Sequence, residues 1–274
     1  MECPECSAEV LDGSADCPHC RRNLWNVRTR GAFRKLPMAL FSGGGIGLVA
    51  LLLCGGLLGF QLIPALLRGN EAEHRAECQS KLRLIALALL NYQDHYGVFP
   101  PAVTYSADGQ PMHSWRVLIL PYVENSPMYH SYRMNEPWNS PGNLAITARM
   151  PDFYACPSNS QGRETGETHY LALDGPGSAL NSREPVRVED LVDGPSQTLM
   201  VVEARHSGVH WTEPRDNDIR QPHSAAPDGL SSFHFGGFQA ALADGTVRFI
   251  PENIDPQNLK AWMTINGGET VGDF

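Results

Sequence analysis

The chain has 274 residues, 42% hydrophobic and 19% charged, with 21 Lys and Arg against 30 Asp and Glu and a formal net charge of −9 at pH 7. That acidic balance argues against nucleic-acid recognition through charge, since phosphate contacts call for a basic surface. The charges are also unevenly placed, with none between Lys35 and Arg68, which argues against a chain that is soluble from end to end.

The first element is a small cysteine-rich head. Cys3-Pro4-Glu5-Cys6 is followed, after ten residues, by Cys17-Pro18-His19-Cys20. Two Cys-x-x-Cys pairs supply four thiolates, the ligand set of a closed tetrahedral zinc site. Val10-Leu11-Asp12-Gly13 between them reads as a short strand ending in a turn. So short a segment buries no core, and metal binding would supply its folding energy. The head resembles the small zinc ribbons that open many bacterial membrane proteins, through Cys3, Pro4, Cys6, Cys17, Pro18 and Cys20. Ser7 and Arg21 stand where those ribbons usually carry Gly. Four sulfurs fill the site, so this zinc is expected to be structural, and the head to be a docking knob for another protein.

The uncharged run from Leu36 to Leu67 comes next. About 20 apolar residues cross a bilayer as helix, so the run predicts one membrane span. Gly43-Gly44-Gly45, Gly47, Gly55-Gly56 and Gly59 thin it, as glycine often does in membrane helices. Pro64 marks a kink or the exit from the bilayer. The run starts too far along the chain and is too long for a cleaved signal peptide. Arg21, Arg22, Arg28, Arg30, Arg34 and Lys35 precede it. Cations beside a span stay on the cytoplasmic side, so the head is expected in the cytoplasm and the rest outside it. The reducing cytoplasm also disfavours disulfides in the head.

Beyond the span, Glu71 to Tyr96 has helical periodicity, with Leu82, Ile85, Leu89 and Tyr92 at three- and four-residue spacing. Gly97 and Pro100-Pro101 end it. Short apolar runs follow at Trp115 to Val123, Thr198 to Val202 and Gly236 to Ile250. In the last, Asp244-Gly245 separates Phe238–Ala243 from Thr246–Ile250, the strongest short-range hairpin signal. A long helix followed by antiparallel strands predicts an α+β fold with the helix on one sheet face. Trp138 to Pro185, rich in Gly, Pro, Asn and Ser, reads as a long surface excursion with little regular structure.

Several spaced motifs in this outer part carry a resemblance. His234, nine residues and then Asp244-Gly245 is similar to the C-terminal signature of a large bacterial family of pilin-like proteins of unknown function. Cys78 with Leu82 and Ile85, Asn91-Tyr92 and Tyr96-Gly97 with Phe99-Pro100-Pro101 resemble that family's first helix and its exit. Asp108-Gly109, His113-Ser114-Trp115-Arg116-Val117 and Leu120-Pro121-Tyr122 resemble its next block. Cys156-Pro157-Ser158, Tyr170, Gly175-Pro176-Gly177, Asp193-Gly194 to Glu203 and Trp211-Thr212-Glu213-Pro214 continue the series, which spans about residues 70 to 252. The family resembles the pseudopilins of type II secretion and type IV pilus systems. Its usual members begin with a short basic leader and a processing site, whereas here the zinc head stands in that place and the span lacks the early Glu that guides pilin assembly. A permanently anchored single-span protein is therefore expected.

Three groups of residues are candidates for chemistry outside the head. Cys78 and Cys156 are the two cysteines beyond the span, on the oxidising side, and are a disulfide candidate, with two buried free thiols as the alternative. Cys54 reads as apolar filling within the span. His234 and Asp244 could approach across the hairpin as a general-base pair, although Asp244 has an ample role as a turn residue and no nucleophile is marked out nearby. Glu203, His206 and His210, with His223 nearby, carry zinc-ligand chemistry, but Gly208 interrupts them and their spacing fits no helix-borne motif, so they read as surface residues after a strand ending at Val202. Asp216 and Asp218 with Glu213 offer oxygens for calcium, without an EF-hand pattern. No phosphate loop or Ser-centred elbow occurs.

The reading divides the chain into a zinc ribbon at 1–24, a basic linker at 25–38, a transmembrane helix at 39–67, a pilin-like extracytoplasmic domain at 68–252 and a C-terminal tail at 253–274. It predicts a non-enzymatic protein of the bacterial inner membrane, acting through contacts with envelope or secretion-system proteins. The alternatives are a ligand-sensing module signalling to the head and a metal-dependent hydrolase using Glu203, His206, His210 or His234.

Overall fold

The computed structural model describes residues 46–123, 127–159, 162–221 and 230–267, with residues 46–70, 162 and 163 described in backbone alone. The predicted zinc ribbon and basic linker lie outside these residues. So do the side chains of the predicted span. Among the described side chains, no helix is long and apolar enough to cross a membrane. The chain divides into two compact units, Met1–Pro64 and Ala65–Phe274.

Helix α1 runs over Ile46–Tyr96. Cys78, Leu82, Ile85, Ala86 and Leu89 are buried along it, at the three- and four-residue spacing that puts them on one stripe. Gly97 closes the helix at φ 76°, its N–H donating to Gln93 O at 2.7 Å, a left-handed position that glycine takes without strain. A small antiparallel hairpin follows, β1 (Val103–Tyr105) with β2 (Pro111–Ser114). Ser106 holds its turn by accepting from Gln110 N at 3.0 Å.

The main sheet has five strands in the order β5-β3-β4-β6-β7. These are β3 (Tyr170–Asp174), β4 (Leu199–Glu203), β5 (Asn217–Asp218), β6 (Gly237–Leu242) and β7 (Val247–Pro251). All neighbours are antiparallel except β3 and β5, which are parallel, so the sheet is mixed where the sequence predicted it antiparallel. The β6–β7 hairpin forms as predicted, with Phe238 opposite Ile250 and Ala241 opposite Val247. Its turn seats Gly245 at φ 84°, with Gly245 N donating to Leu242 O at 3.0 Å.

Both faces of the sheet are covered. Ala241 and Ala243 join the α1 stripe, Trp115, Tyr154 and Trp211 in one core. Phe238, Ala240 and Leu242 point the other way, into a second core with Leu259 and Trp262 of helix α6 (Pro256–Trp262). In β4 a register shift between Leu199 and Val201 sends both Met200 and Val201 to the α1 side. The compact unit therefore takes in residues beyond 252.

Two expectations are corrected. Trp115 to Val123 is not a strand: Ser114 accepts from Arg116 N and starts the short helix α2 (Trp115–Leu118), and a 3-10 turn follows at Leu120–Tyr122. An apolar run bounded by a Ser cap is ambiguous between helix and strand at this length. Trp138 to Pro185 holds more structure than expected. It includes α4 (Pro141–Ile146) after α3 (Pro127–Ser131), the short α5 (Gly162–Thr165), and the buried strand β3. Strand β3 was missed because it is buried on both faces and shows no alternation.

Candidate functional site

Five side chains from separated parts of the chain meet where α1 crosses the sheet. Glu71 and Cys78 come from α1, two turns apart on one side. Cys156 comes from the turn after the 3-10 helix Asp152–Tyr154, whose carbonyl accepts Asn159 N at 3.1 Å. Glu203 ends β4, and His234 stands in the loop that leads into β6. Lys81 Nζ donates to Ala155 O at 3.0 Å, and His74 Nδ1 lies 3.1 Å from Ser158 Oγ, so both clamp the Cys156 turn to the helix. Ser232 shapes the His234 loop by accepting from His234 N at 2.9 Å and donating to Gly237 O at 2.8 Å.

At the centre, the Cys78 thiol donates to Cys156 Sγ at 3.1 Å, and both cysteines are buried and unbonded. Cys156 Sγ lies 3.7 Å from His234 Nε2. His234 Nε2 lies 3.6 Å from Glu203 Oε1. One ligand atom from each of Cys78, Cys156, Glu203 and His234 falls within 4.8 Å of every other, and among the described residues no other such cluster of three or more His, Cys, Asp or Glu occurs. Glu203 is only 2% exposed. Its Oε2 accepts Gln239 N at 2.7 Å, while its Oε1 has no hydrogen-bond partner. The outer nitrogen of His234, Nδ1, sits 2.7 Å from Glu71 Oε1. The Tyr170 hydroxyl is buried against Cys78.

The electrostatics follow from crowding polar groups into a dry place. The hydrogen bond from Cys78, with His234 beside it, outweighs burial and draws the Cys156 thiol below its ordinary value. Cys78, which keeps the proton, is raised by that same bond and by burial. Burial pushes Glu203 up to about 7 against the pull of His234. For His234 burial acts downward, but Cys156, Glu203 and Glu71 together carry it up to about 9. The cluster thus offers two sulfurs, an imidazole nitrogen and a carboxylate oxygen facing one another. A cleft of about 340 Å³, lined by Arg205, Phe233, Phe235 and Glu252 among others, opens beside His234.

The other sequence candidates separate. Asp244 does not serve His234; its Oδ1 accepts from Thr246 N at 2.8 Å and holds the hairpin turn. Glu203 is not a surface residue, because β4 runs one residue past Val202 and carries it inside. His206 is exposed at φ 54°, and His210 stacks on Trp138 with Nδ1 2.8 Å from Thr212 Oγ1, so neither joins Glu203. His223 lies outside the described residues, as do Cys3, Cys6, Cys17 and Cys20. The three carboxylates considered for calcium do not converge. Buried Asp216 is paired with buried Arg116 and also accepts Ala172 N at 2.7 Å, Asp218 is paired with Arg220, and Glu213 with Arg215. Sequence reading named Cys78, Cys156, Glu203 and His234 but placed them in three separate groups, and it missed Glu71 and Gln239. No local spacing links residues that only the α1–sheet crossing brings together.

Residues 69–228 and 205–257 match the family SBP_bac_10, described as "Protein of unknown function (DUF1559)". Together the two matches cover more than half of the chain. No curated protein and no solved structure matches it.

Proposed function

Since the chain belongs to this family of proteins of unknown function, we propose that it is a single-span, membrane-anchored protein whose outer, pilin-like domain works by contact with other envelope proteins, beside a secretion or pilus-type apparatus. One observation carries this reading. Helix α1, Ile46–Tyr96, takes in both residues 46–67 of the uncharged run and the apolar stripe that packs under the sheet. A helix that is part span and part core is the pilin plan, in which anchor and domain share one element. The zinc head, with Cys3, Cys6, Cys17 and Cys20 as ligands, is the cytoplasmic docking piece. Phe235, 89% exposed at the rim of the cleft beside His234, gives the outer domain an apolar contact point.

The hydrolase alternative is disfavoured, because catalysis on a metal needs an open position reached by water, and Cys78, Cys156, Glu203 and His234 are all buried. A ligand-sensing role draws support from a second cleft of about 560 Å³ near Pro176, Ile219 and Met263. The two readings part under proximity labelling from the C-terminus of the full chain in its native membrane. The contact role expects envelope or secretion-system components to be enriched. Recovery of none would remove it and leave the sensing role.

A further inference from the structure

We propose that Cys78, Cys156, Glu203 and His234 are the ligands of a metal centre for a borderline-soft divalent ion of the zinc class, which locks α1 to the sheet. This rests on the cluster itself and not on the contact role proposed above.

The spacing suits an ion at the centre. A tetrahedral site with bonds of about 2.0–2.3 Å has edges of about 3.3–3.8 Å. The separations of 3.7 Å from Cys156 Sγ to Nε2 and 3.6 Å from Nε2 to Oε1 fall within that range, and the two sulfurs, 3.1 Å apart, would move apart to reach it. Two sulfurs, one imidazole nitrogen and one carboxylate oxygen make a zinc-type set, whereas calcium takes oxygen alone. The outer partners are also in place. Glu71 on Nδ1 leaves Nε2 of His234 to face the cluster, and Gln239 N on Oε2 leaves Oε1 of Glu203 to do the same. A carboxylate behind a histidine is the usual support of a metal ligand, since it fixes the tautomer and the ring.

A disulfide accounts for less of the site. It would engage two sulfurs and leave Glu203 Oε1 buried with no hydrogen-bond partner, which costs free energy. Metal engages that oxygen directly. Binding would release the Cys78 proton and the proton on Nε2 to solvent, as thiol and imidazole ligands require. Four protein ligands fill the coordination sphere, so the centre is structural. It joins α1, the Cys156 turn, β4 and the His234 loop at one point, and it gives His234 a role that does not depend on Asp244.

The test uses the full chain in detergent with the head thiols removed by Cys3→Ser, Cys6→Ser, Cys17→Ser and Cys20→Ser, so that any metal counted belongs to the outer domain. It is loaded with zinc and then with cobalt(II), with free thiols trapped by alkylation at lysis. The centre predicts about one tightly held zinc per chain and a sulfur-to-cobalt charge-transfer band. Both vanish in Cys156→Ser and persist in Cys54→Ser. Should Cys156→Ser fail to fold, Glu71→Gln decides: it leaves every ligand in place and is expected to weaken zinc roughly 10–100-fold. Absence of bound zinc with both thiols free would overturn the proposal. So would a Cys78–Cys156 disulfide in the trapped protein, or unchanged zinc affinity in Glu71→Gln.

Discussion

At the scale of single residues, burial sets the behaviour of the titratable groups, and His113 shows it without metal chemistry. It is buried, with Nδ1 3.0 Å from Tyr132 Oη and Nε2 3.0 Å from Met134 O. A neutral ring satisfies both contacts, one nitrogen accepting and the other donating. Burial holds its pKa below the ordinary 6.5. The unfolded chain therefore takes up this proton first as pH falls. The stability tied to His113 is complete above about 6.5 and is lost as pH drops towards the folded value. Urea unfolding of wild type and His113→Gln between pH 7.5 and 5 is expected to show a shallower acid loss in the variant; equal slopes would mean that the ring takes up its proton equally in the folded and unfolded chain. His113 and His234 look alike in the sequence, each a lone histidine in a motif. Burial, which outweighs the Met134 carbonyl, lowers one, and carboxylates and sulfur raise the other, and those neighbours were not legible before the fold.

At the scale of elements, legibility tracked how local the instructions are. The α1 stripe, its Gly97 stop and the β6–β7 hairpin each depend on residues a few positions apart, and each formed as read. Strand β3 and helix α2 did not: one is buried on both faces, and the other depends on a single capping hydroxyl. Gly237 marks a further element-level constraint. A Cβ there would lie 2.1 Å from Ile250 O, a backbone atom held by the β6–β7 ladder, so nothing flexible can give way. Gly237→Ala is therefore expected to destabilise the domain by about 1–3 kcal/mol or more, with β6 forced off β7 and the neighbouring His234 loop disturbed. Chemical denaturation checks this, and a variant within about 0.5 kcal/mol of wild type would show that β6 has room to shift.

At the scale of the whole molecule, the compact unit Ala65–Phe274 is an α+β unit in which one long helix and one short helix cover a mixed five-stranded sheet. Class and helix placement were legible because the order of elements was. The cluster at the α1–sheet crossing was not, since Cys78, Cys156, Glu203 and His234 become neighbours only when strands far apart in the chain pair and α1 packs on them. The anchoring proposed for this unit rests on charge placement, with six cations before the uncharged run and the acidic residues concentrated after it. The most direct test of that account is protease accessibility in intact cells stripped of their outer layer, with antibodies to each end of the chain. The account predicts that the chain stays with the membrane through an alkaline carbonate wash, that added protease removes the unit Ala65–Phe274, and that the Cys3–Cys20 head survives until the membrane is lysed. A chain released by the wash, or an outer unit protected until lysis, would contradict it.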